Sequence, residues 1–303
     1  MSDRAKIRDA STQSGTIVAS FGRQFSVELG DGTQVACVTR GKRTDIACGD
    51  RVAIAMTAQG QGVIESTAPR TSLFYRSDIQ REKLIAANVT QIVIVLAVPA
   101  FHRELLDRCL AAAEDAQIRS LLVLNKMDLP AADDALRSLE LYRALGYEVL
   151  PLAAKIDLAP LRARLAGHLS VLVGQSGMGK STIINRLAPD AAARVGDLSH
   201  ALGSGRHITT HARLYHLDAT SHIIDSPGMQ EFGLHHVGPT ELAHCFVEFG
   251  RHLGHCKYND CKHLTEPGCA VSAALEHGEI RPQRVESYRK LVMQLMQKEK
   301  RWN

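Results

Sequence analysis

The sequence predicts three joined units: a small β-barrel over residues 1–70, a central α/β unit with a mostly parallel sheet over 71–232, and a mainly helical unit over 233–303. Three observations carry this division. Short alternating apolar segments cut by glycines fill the N-terminal stretch, as in small all-β folds. Apolar strand-like runs then alternate with amphipathic helical stretches, the pattern of a βαβ sheet. Close to the C-terminus, four soft metal ligands fall near one another on the chain.

A chain of 303 residues with a net charge of +4 is long enough for a sizeable core, and its charge permits a polyanionic partner without demanding one. The Met1–Lys6 stretch is polar, and the longest apolar run, 92–100, is far too short to span a bilayer. A cytoplasmic protein without a membrane segment is therefore expected. In that compartment the seven cysteines point to metal binding or ordinary burial rather than disulfides.

In the first unit, segments 16–19, 24–29, 34–38, 50–56 and 62–65 have strand character, with a Gly30-Asp31-Gly32 turn after the second. An OB-fold fits this length, and such barrels often bind oligonucleotides. Two alternatives stand: an RNA-binding barrel, with Arg40, Lys42 and Arg43 as phosphate contacts, or a barrel that only packs on its neighbour. Cys37 and Cys48 lie in or near these strands without ligand spacing and read as ordinary small residues. Residues 70–90, with Arg70, Arg76, Arg81 and Lys83, read as a linker.

The second unit carries strands over 91–98, 120–125, 147–152 and 168–173, and helices over 104–117, 131–145 and 158–165. Its central motif is Gly174-Gln175-Ser176-Gly177-Met178-Gly179-Lys180-Ser181, a G-x-x-x-x-G-K-S run between a strand and a helix that starts near Thr182. Glycines there let backbone N–H groups turn in around phosphate oxygens. Lys180 supplies charge to the β- and γ-phosphates, and the Ser181 hydroxyl a ligand for Mg²⁺.

The nucleotide base is indicated upstream. Asn125-Lys126-Met127-Asp128 ends a strand as N-K-x-D, resembling the base-recognition motif of GTPases. A carboxylate at Asp128 accepts from guanine N1–H and its amino group; adenine offers no such pair, so ATP should be rejected. The next strand delivers Ala153-Ala154-Lys155, which looks like the S-A-K motif behind the guanine, with Ala153 in place of serine. A backbone N–H contact to the guanine carbonyl survives that change; the serine's support of the loop does not.

Downstream, Gly203-Ser204-Gly205-Arg206-His207-Ile208-Thr209-Thr210-His211 has the composition of a mobile loop whose threonines can reach a metal. Thr209 is the first choice as Mg²⁺ ligand and Thr210 the second. Strands over 212–217 and 222–224 follow, and Asp225-Ser226-Pro227-Gly228 gives D-x-P-G. Asp225 is assigned to Mg²⁺ through a water and the Gly228 N–H to the γ-phosphate. Met229 stands where many GTPases place the glutamine that orients water. His207 is the candidate substitute, with Gln230 and a plain surface histidine as alternatives. The motif order is circularly permuted, with the base motifs first and the phosphate motifs after. The D-x-P-G switch therefore leads straight into the third unit.

In that unit, Cys256, Cys261, His263 and Cys269 form C-x-x-x-x-C-x-H-x-x-x-x-x-C, a closed set for one structural Zn²⁺. His252 and His255 are alternative ligands, and Cys245 is expected in the core. A helix over 286–302 presents Val285, Tyr288, Leu291, Val292, Leu295 and Met296 on one face. Arg281, Arg284, Arg289, Lys290, Lys298, Lys300 and Arg301 make the clearest basic cluster, either an RNA contact or a solvated face.

Taken together, these units resemble the ribosome small subunit-dependent GTPase A family. The most specific parts are Gly205-Arg206-His207-Ile208-Thr209-Thr210, Asp225-Ser226-Pro227-Gly228 and the zinc spacing, with Ala86-Ala87-Asn88-Val89 adding to them. The resemblance implies a GTPase that binds the small ribosomal subunit and its rRNA. Hydrolysis would be stimulated by the subunit during late maturation and coupled to release. A monomer is expected. Ile208 departs from the family's usual threonine, as Ala153 does from serine.

Overall fold

The computed structural model describes residues 12–41, 45–77, 82–99, 101–189, 212–226, 234 and 237–302. His207, Thr209, Thr210, Gly228, Met229 and Gln230, along with Lys42, Arg43 and Arg81, lie outside the described residues.

The barrel forms as expected. Its strands are β1 (Gln13–Phe21), β2 (Gln24–Leu29), β3 (Gln34–Thr39), β4 (Arg51–Ala58) and β5 (Gln61–Thr67). They pair in the order β1-β2-β3-β5-β4, and β1–β4 pairing closes the ring. Inward residues alternate along each strand, so Ile17, Phe25, Val27, Val35, Cys37, Val52, Ile54 and Ile64 form a separate apolar core. Gly15 is required for this closure: a Cβ there would sit 2.5 Å from Val27 and 2.8 Å from the Glu28 carbonyl oxygen.

Residues 70–90 are not a plain linker. Leu73–Ser77 (β6) and Glu82–Ala87 (β7) form an antiparallel ribbon. The basic residues obscured the alternation that buries Phe74 and Ile85 in the central core. A clamp fixes this ribbon to the barrel: Arg70 Nε donates to Asp50 Oδ1 at 2.7 Å, and Asn88 Nδ2 donates to the Gly49 carbonyl at 2.9 Å.

The central sheet contains β8 (Gln91–Ala97), β9 (Arg119–Asn125), β10 (Glu148–Pro151), β11 (Leu169–Val173), β12 (Arg213–His216) and β13 (His222–Asp225), in the order β10-β9-β8-β11-β13-β12. All pairs are parallel except β12–β13. Ala19 of β1 also pairs with Arg213 of β12, so barrel and central sheet are hydrogen-bonded into one surface.

Parallel strands covered on both faces must be apolar throughout, and β8 is buried at every position. Its alternate residues divide between two cores. Val93 and Val95 face α4 (Ala159–Leu165) and α5 (Lys180–Leu187); Ile92, Ile94 and Leu96 face α1 (Arg103–Asp115). The single helix expected over 131–145 is two short ones, α2 (Ala132–Arg137) and α3 (Glu140–Ala144). Between them Ser138 Oγ donates to the Ala135 carbonyl at 2.6 Å, and Leu139 N–H turns to Leu136 O, breaking the helical ladder.

The C-terminal region is helical: α6 (Pro239–His244), α7 (Ala270–Glu276) and the long α8 (Pro282–Trp302). The expected apolar face of α8 is buried at Val285, Tyr288, Leu291, Val292 and Leu295. These residues belong to the same apolar cluster as α1 and one face of the central sheet.

The basic cluster on α8 needs correction. Arg284 is 1% exposed and belongs to the interior. It donates from Nη1 to Asp107 Oδ1 of α1, and from Nε to Glu248 Oε1 at 2.6 Å. Its guanidinium lies 4.4 Å from the Phe246 ring centre, and Tyr142 O–H completes Asp107 Oδ1 at 2.8 Å. Burial works against the Arg284 charge, but Asp107 and Glu248 more than offset it and raise its pKa. Arg289 donates from Nε to the His263 carbonyl, and Lys290 pairs with Glu286 at 2.8 Å. The sequence pattern could not reveal this, because the acidic partners lie 177 and 36 positions away.

Removing one partner of a buried charge cluster leaves the others uncompensated. Arg284→Met is therefore expected to destabilise the chain by about 3–5 kcal/mol, read in a denaturant titration. A loss below about 1 kcal/mol would show the cluster to be incidental to stability.

Candidate functional site

The phosphate-loop residues follow β11, where the sheet order reverses between β8 and β11, the crevice in which open α/β sheets bind ligands. Two glycines are indispensable there. Gly174 has φ +145°, and a Cβ would lie 2.3 Å from the Val95 carbonyl oxygen. Gly179 has φ +100°, and a Cβ would lie 2.3 Å from Asn125 Nδ2. Gln175 is half-buried, Ser176 and Gly177 are exposed at the tip, and Met178 and Gly179 are half-buried again. Lys180, Ser181 and Thr182 form the first turn of α5, with Ser181 exposed.

Lys180 Nζ donates to the carbonyls of Gly174 at 2.5 Å and Gln175 at 2.8 Å, which curls the loop around its own lysine. Asp225 ends β13, in register with Leu172 of β11, and so stands beside the loop. Burial pushes its carboxyl above the usual range while Lys180 opposes the shift. The same burial lowers the Lys180 pKa, and Asp225 opposes that. These two groups thus form a half-buried pair of opposite charge next to the phosphate loop.

The base motif is joined to this loop through Asn125, which is 3% exposed. Its Nδ2 donates to the Met178 carbonyl at 2.9 Å, and its Oδ1 accepts from the Ala154 N–H at 3.0 Å. One side chain therefore ties three motifs that are far apart in sequence. Lys126 adopts φ +63°, turning the chain so that Met127 N–H reaches the Leu152 carbonyl at 3.1 Å. Asp128 is exposed, so the desolvation that makes an unpaired carboxylate costly arises only beneath a bound base. Ala154 is buried and Lys155 exposed. Within the Ala153-Ala154-Lys155 motif, the Ala154 N–H is taken by Asn125.

Arg186 was missed by sequence reasoning. It sits at the end of α5, donating from Nη1 to the Ala154 carbonyl and from Nη2 to the Ile156 carbonyl at 3.4 Å. Nothing in its spacing marks it, because the contact crosses between two elements.

In the C-terminal region, ligand atoms of Cys256, Cys261, His263 and Cys269 lie within 4.8 Å of one another. His263 Nδ1 is 3.5, 3.6 and 3.4 Å from the sulfurs of Cys256, Cys261 and Cys269. A tetrahedral ion with ordinary Zn–S and Zn–N bonds requires such edges to be about 3.6 Å. The donor set could therefore hold a metal ion, with all four positions filled by protein.

The surroundings orient these ligands. Ala270 N–H points at Cys256 Sγ at 3.3 Å and Ser272 N–H at Cys269 Sγ at 3.4 Å. Arg289 Nε holds the His263 carbonyl at 3.2 Å. Tyr288 O–H holds that of Lys262 at 3.0 Å. The Glu266 carboxylate accepts from Lys262, Leu264 and Thr265 N–H groups. His252 faces Glu279 and is not part of the cluster. Cys245 is buried as expected, and Cys37, Cys48 and Cys109 are also buried away from the cluster.

Comparisons with known proteins agree with this geometry. Residues 67–235, more than half of the chain, match the family described as RsgA GTPase. The protein named small ribosomal subunit biogenesis GTPase RsgA from Nitrosospira multiformis is 54% identical over 283 residues, 93% of this chain and 90% of the relative. The protein of that name from Nitrosomonas europaea is 52% identical over 295 residues, covering 96% and 93%. The crystal structure of YjeQ from Thermotoga maritima matches with a TM-score of 0.71 and 31% identity, over 94% of this chain and 99% of that one. YloQ, described as a circularly permuted GTPase, matches at 0.69 and 25%, covering 97% and 98%. Among the described residues no helix is long and apolar enough to cross a membrane.

Gly179→Ala combines an unfavourable φ with a clash against Asn125. It is expected to weaken GDP binding by about tenfold or more in a fluorescence titration, while the far-UV circular dichroism spectrum stays unchanged.

Proposed function

The chain belongs to the RsgA GTPase family and hydrolyses GTP; from that premise we propose that it acts on the small ribosomal subunit during late maturation, with hydrolysis stimulated by the subunit and coupled to release. The ribosomal side of the reading is supported by the relatives named small ribosomal subunit biogenesis GTPase RsgA, and its nucleotide side by the Asn125 joint, which ties 125–128 to 174–181 and to Ala154 despite their permuted order.

In this reading Asn125, Lys126, Asp128, Ala154 and Lys155 form the base side of the pocket. Gly174, Gln175, Ser176, Gly177, Met178 and Gly179 wrap the phosphates with backbone N–H groups, and Lys180 and Thr182 lie at the start of the adjoining helix. Lys180 exchanges its two carbonyl bonds for phosphate oxygens, a switch favoured by its half-buried setting. Ser181, Asp225 and Thr209 would hold the Mg²⁺ that accompanies GTP, which would supply positive charge to the phosphates. Gly228 senses the γ-phosphate and His207 orients the attacking water. Cys256, Cys261, His263 and Cys269 hold one Zn²⁺, which braces the loop that they share.

We assign 1–70, 71–232 and 233–303 as the three domains, with a monomeric, cytoplasmic protein as the working form. Of the cations that the sequence offered on the C-terminal helix, Arg284 and Arg289 are engaged within the chain. The barrel is offered as an rRNA surface, where the exposed Arg40, paired with Glu65 among the described residues, can exchange partners cheaply.

The test is GTP turnover of the purified chain, alone and with isolated small ribosomal subunits, beside an ATP control. Stimulation by about tenfold or more, with ATP inert, is expected. Unchanged turnover would overturn the ribosomal reading and favour a switch that answers to a protein partner.

A further inference from the structure

The loop behind the base lacks the side-chain hydroxyl that would brace it, since residue 153 is alanine. It is nevertheless tightly tied. Ala153 O accepts from Ile156 N–H at 2.8 Å and Asp157 N–H at 3.0 Å, closing a turn. Asn125 takes the Ala154 N–H, while the Arg186 guanidinium spans the Ala154 and Ile156 carbonyls. The clamp is reciprocal: Arg162, on the helix that follows the loop, donates from Nη2 to the Leu187 carbonyl at 3.2 Å. A planar fork bridging two carbonyls is a task for arginine and poorly suited to lysine.

A trans peptide points its C=O and N–H in opposite directions. By gripping the Ala154 carbonyl, Arg186 turns the N–H of the same peptide plane, which belongs to Lys155, away from α5. Among the described hydrogen bonds this N–H has no acceptor within the chain. The Met127–Leu152 bond holds its loop beside the one that carries Asp128. Guanine presents its 6-carbonyl next to the N1–H and amino group that a carboxylate accepts. A donor beside Asp128 therefore completes the reading of that edge.

We propose that Arg186 is a positioning residue for guanine recognition: it replaces the missing brace at Ala153 and aims the Lys155 N–H at the 6-carbonyl of the base. This rests on the assignment of 125–128 and 153–155 as the base-binding segments. Arg186 is exposed, so its replacement removes no core packing.

The test compares binding of GDP, 6-thio-GDP and IDP to the full chain and its Arg186→Met and Arg186→Lys forms, with ADP as control. Sulfur at position 6 accepts poorly, whereas IDP lacks only the amino group that Asp128 receives. The unaltered chain should prefer GDP over 6-thio-GDP by about tenfold. In Arg186→Met, GDP should weaken by about five- to tenfold and 6-thio-GDP hardly at all. That preference then collapses, while the GDP-to-IDP ratio holds. Arg186→Lys should restore part of it. Equal weakening of all three nucleotides, or no change in any, would overturn the proposal. ADP binding as tightly as GDP to the unaltered chain would overturn the guanine assignment itself, a pattern distinct from either.

Discussion

Asn125 spends both ends of one buried amide on two other motifs: its donor on the Met178 carbonyl of the phosphate loop, its acceptor on the Ala154 N–H of the loop behind the base. Both partners are backbone groups that would otherwise lack a bond in a water-poor crevice, so the joint is costly to break. It also explains why residue 179 has no side chain. The amide occupies the space where a Cβ would project. Through this contact the ends of β9, β10 and β11 become one surface, and the order of the strands in the chain ceases to matter for the pocket. Each motif caps its own strand, and the sheet order brings the caps together.

Permutation has a second consequence. The strand that ends in Asp225 is the last of the central sheet among the described residues, and the chain beyond it enters α6, the loop with Cys256, Cys261, His263 and Cys269, and helices α7 and α8. Those helices share an apolar cluster with α1, and the cluster surrounds the Arg284 ion network. Phe246, Phe249 and Tyr288 stack around it, with ring centres 4.9 to 5.3 Å apart. Phe249 and Tyr288 also lie 6.3 and 6.1 Å from the His263 ring. A continuous packed path therefore links the Cys256, Cys261, His263 and Cys269 cluster to the face of the sheet opposite α5. The barrel is attached separately, through β1–β12 pairing and the Arg70–Asp50 pair, whose carboxylate is fully buried.

Local patterns were legible in the sequence because they follow short-range rules. The barrel strands, the phosphate loop, N-K-x-D and the four metal ligands all lie within contiguous stretches whose spacing states the geometry. Contacts between distant segments were not legible. Arg284 looks like any cation on a helix until Asp107 and Glu248 are seen beside it. Arg186 likewise acquires meaning only against the Ala154 and Ile156 carbonyls. The ribbon of β6 and β7 was concealed by its charges, although Phe74 supplied the buried face. Ser138 interrupted a helix that apolar spacing alone would have continued.

Under the proposed function Asp128, carried on the turn set by Asn125 and Lys126, reads the guanine edge. Its most direct test is the affinity of the Asp128→Asn form for GDP and for xanthosine diphosphate. An asparagine amide can donate to the 2-carbonyl of xanthine, where a carboxylate can only repel it. Preference is expected to invert, with GDP weakened by about a hundredfold or more and the xanthine nucleotide strengthened. If GDP still binds Asp128→Asn as it binds the unaltered chain, Asp128 does not read the base, which is then recognised elsewhere.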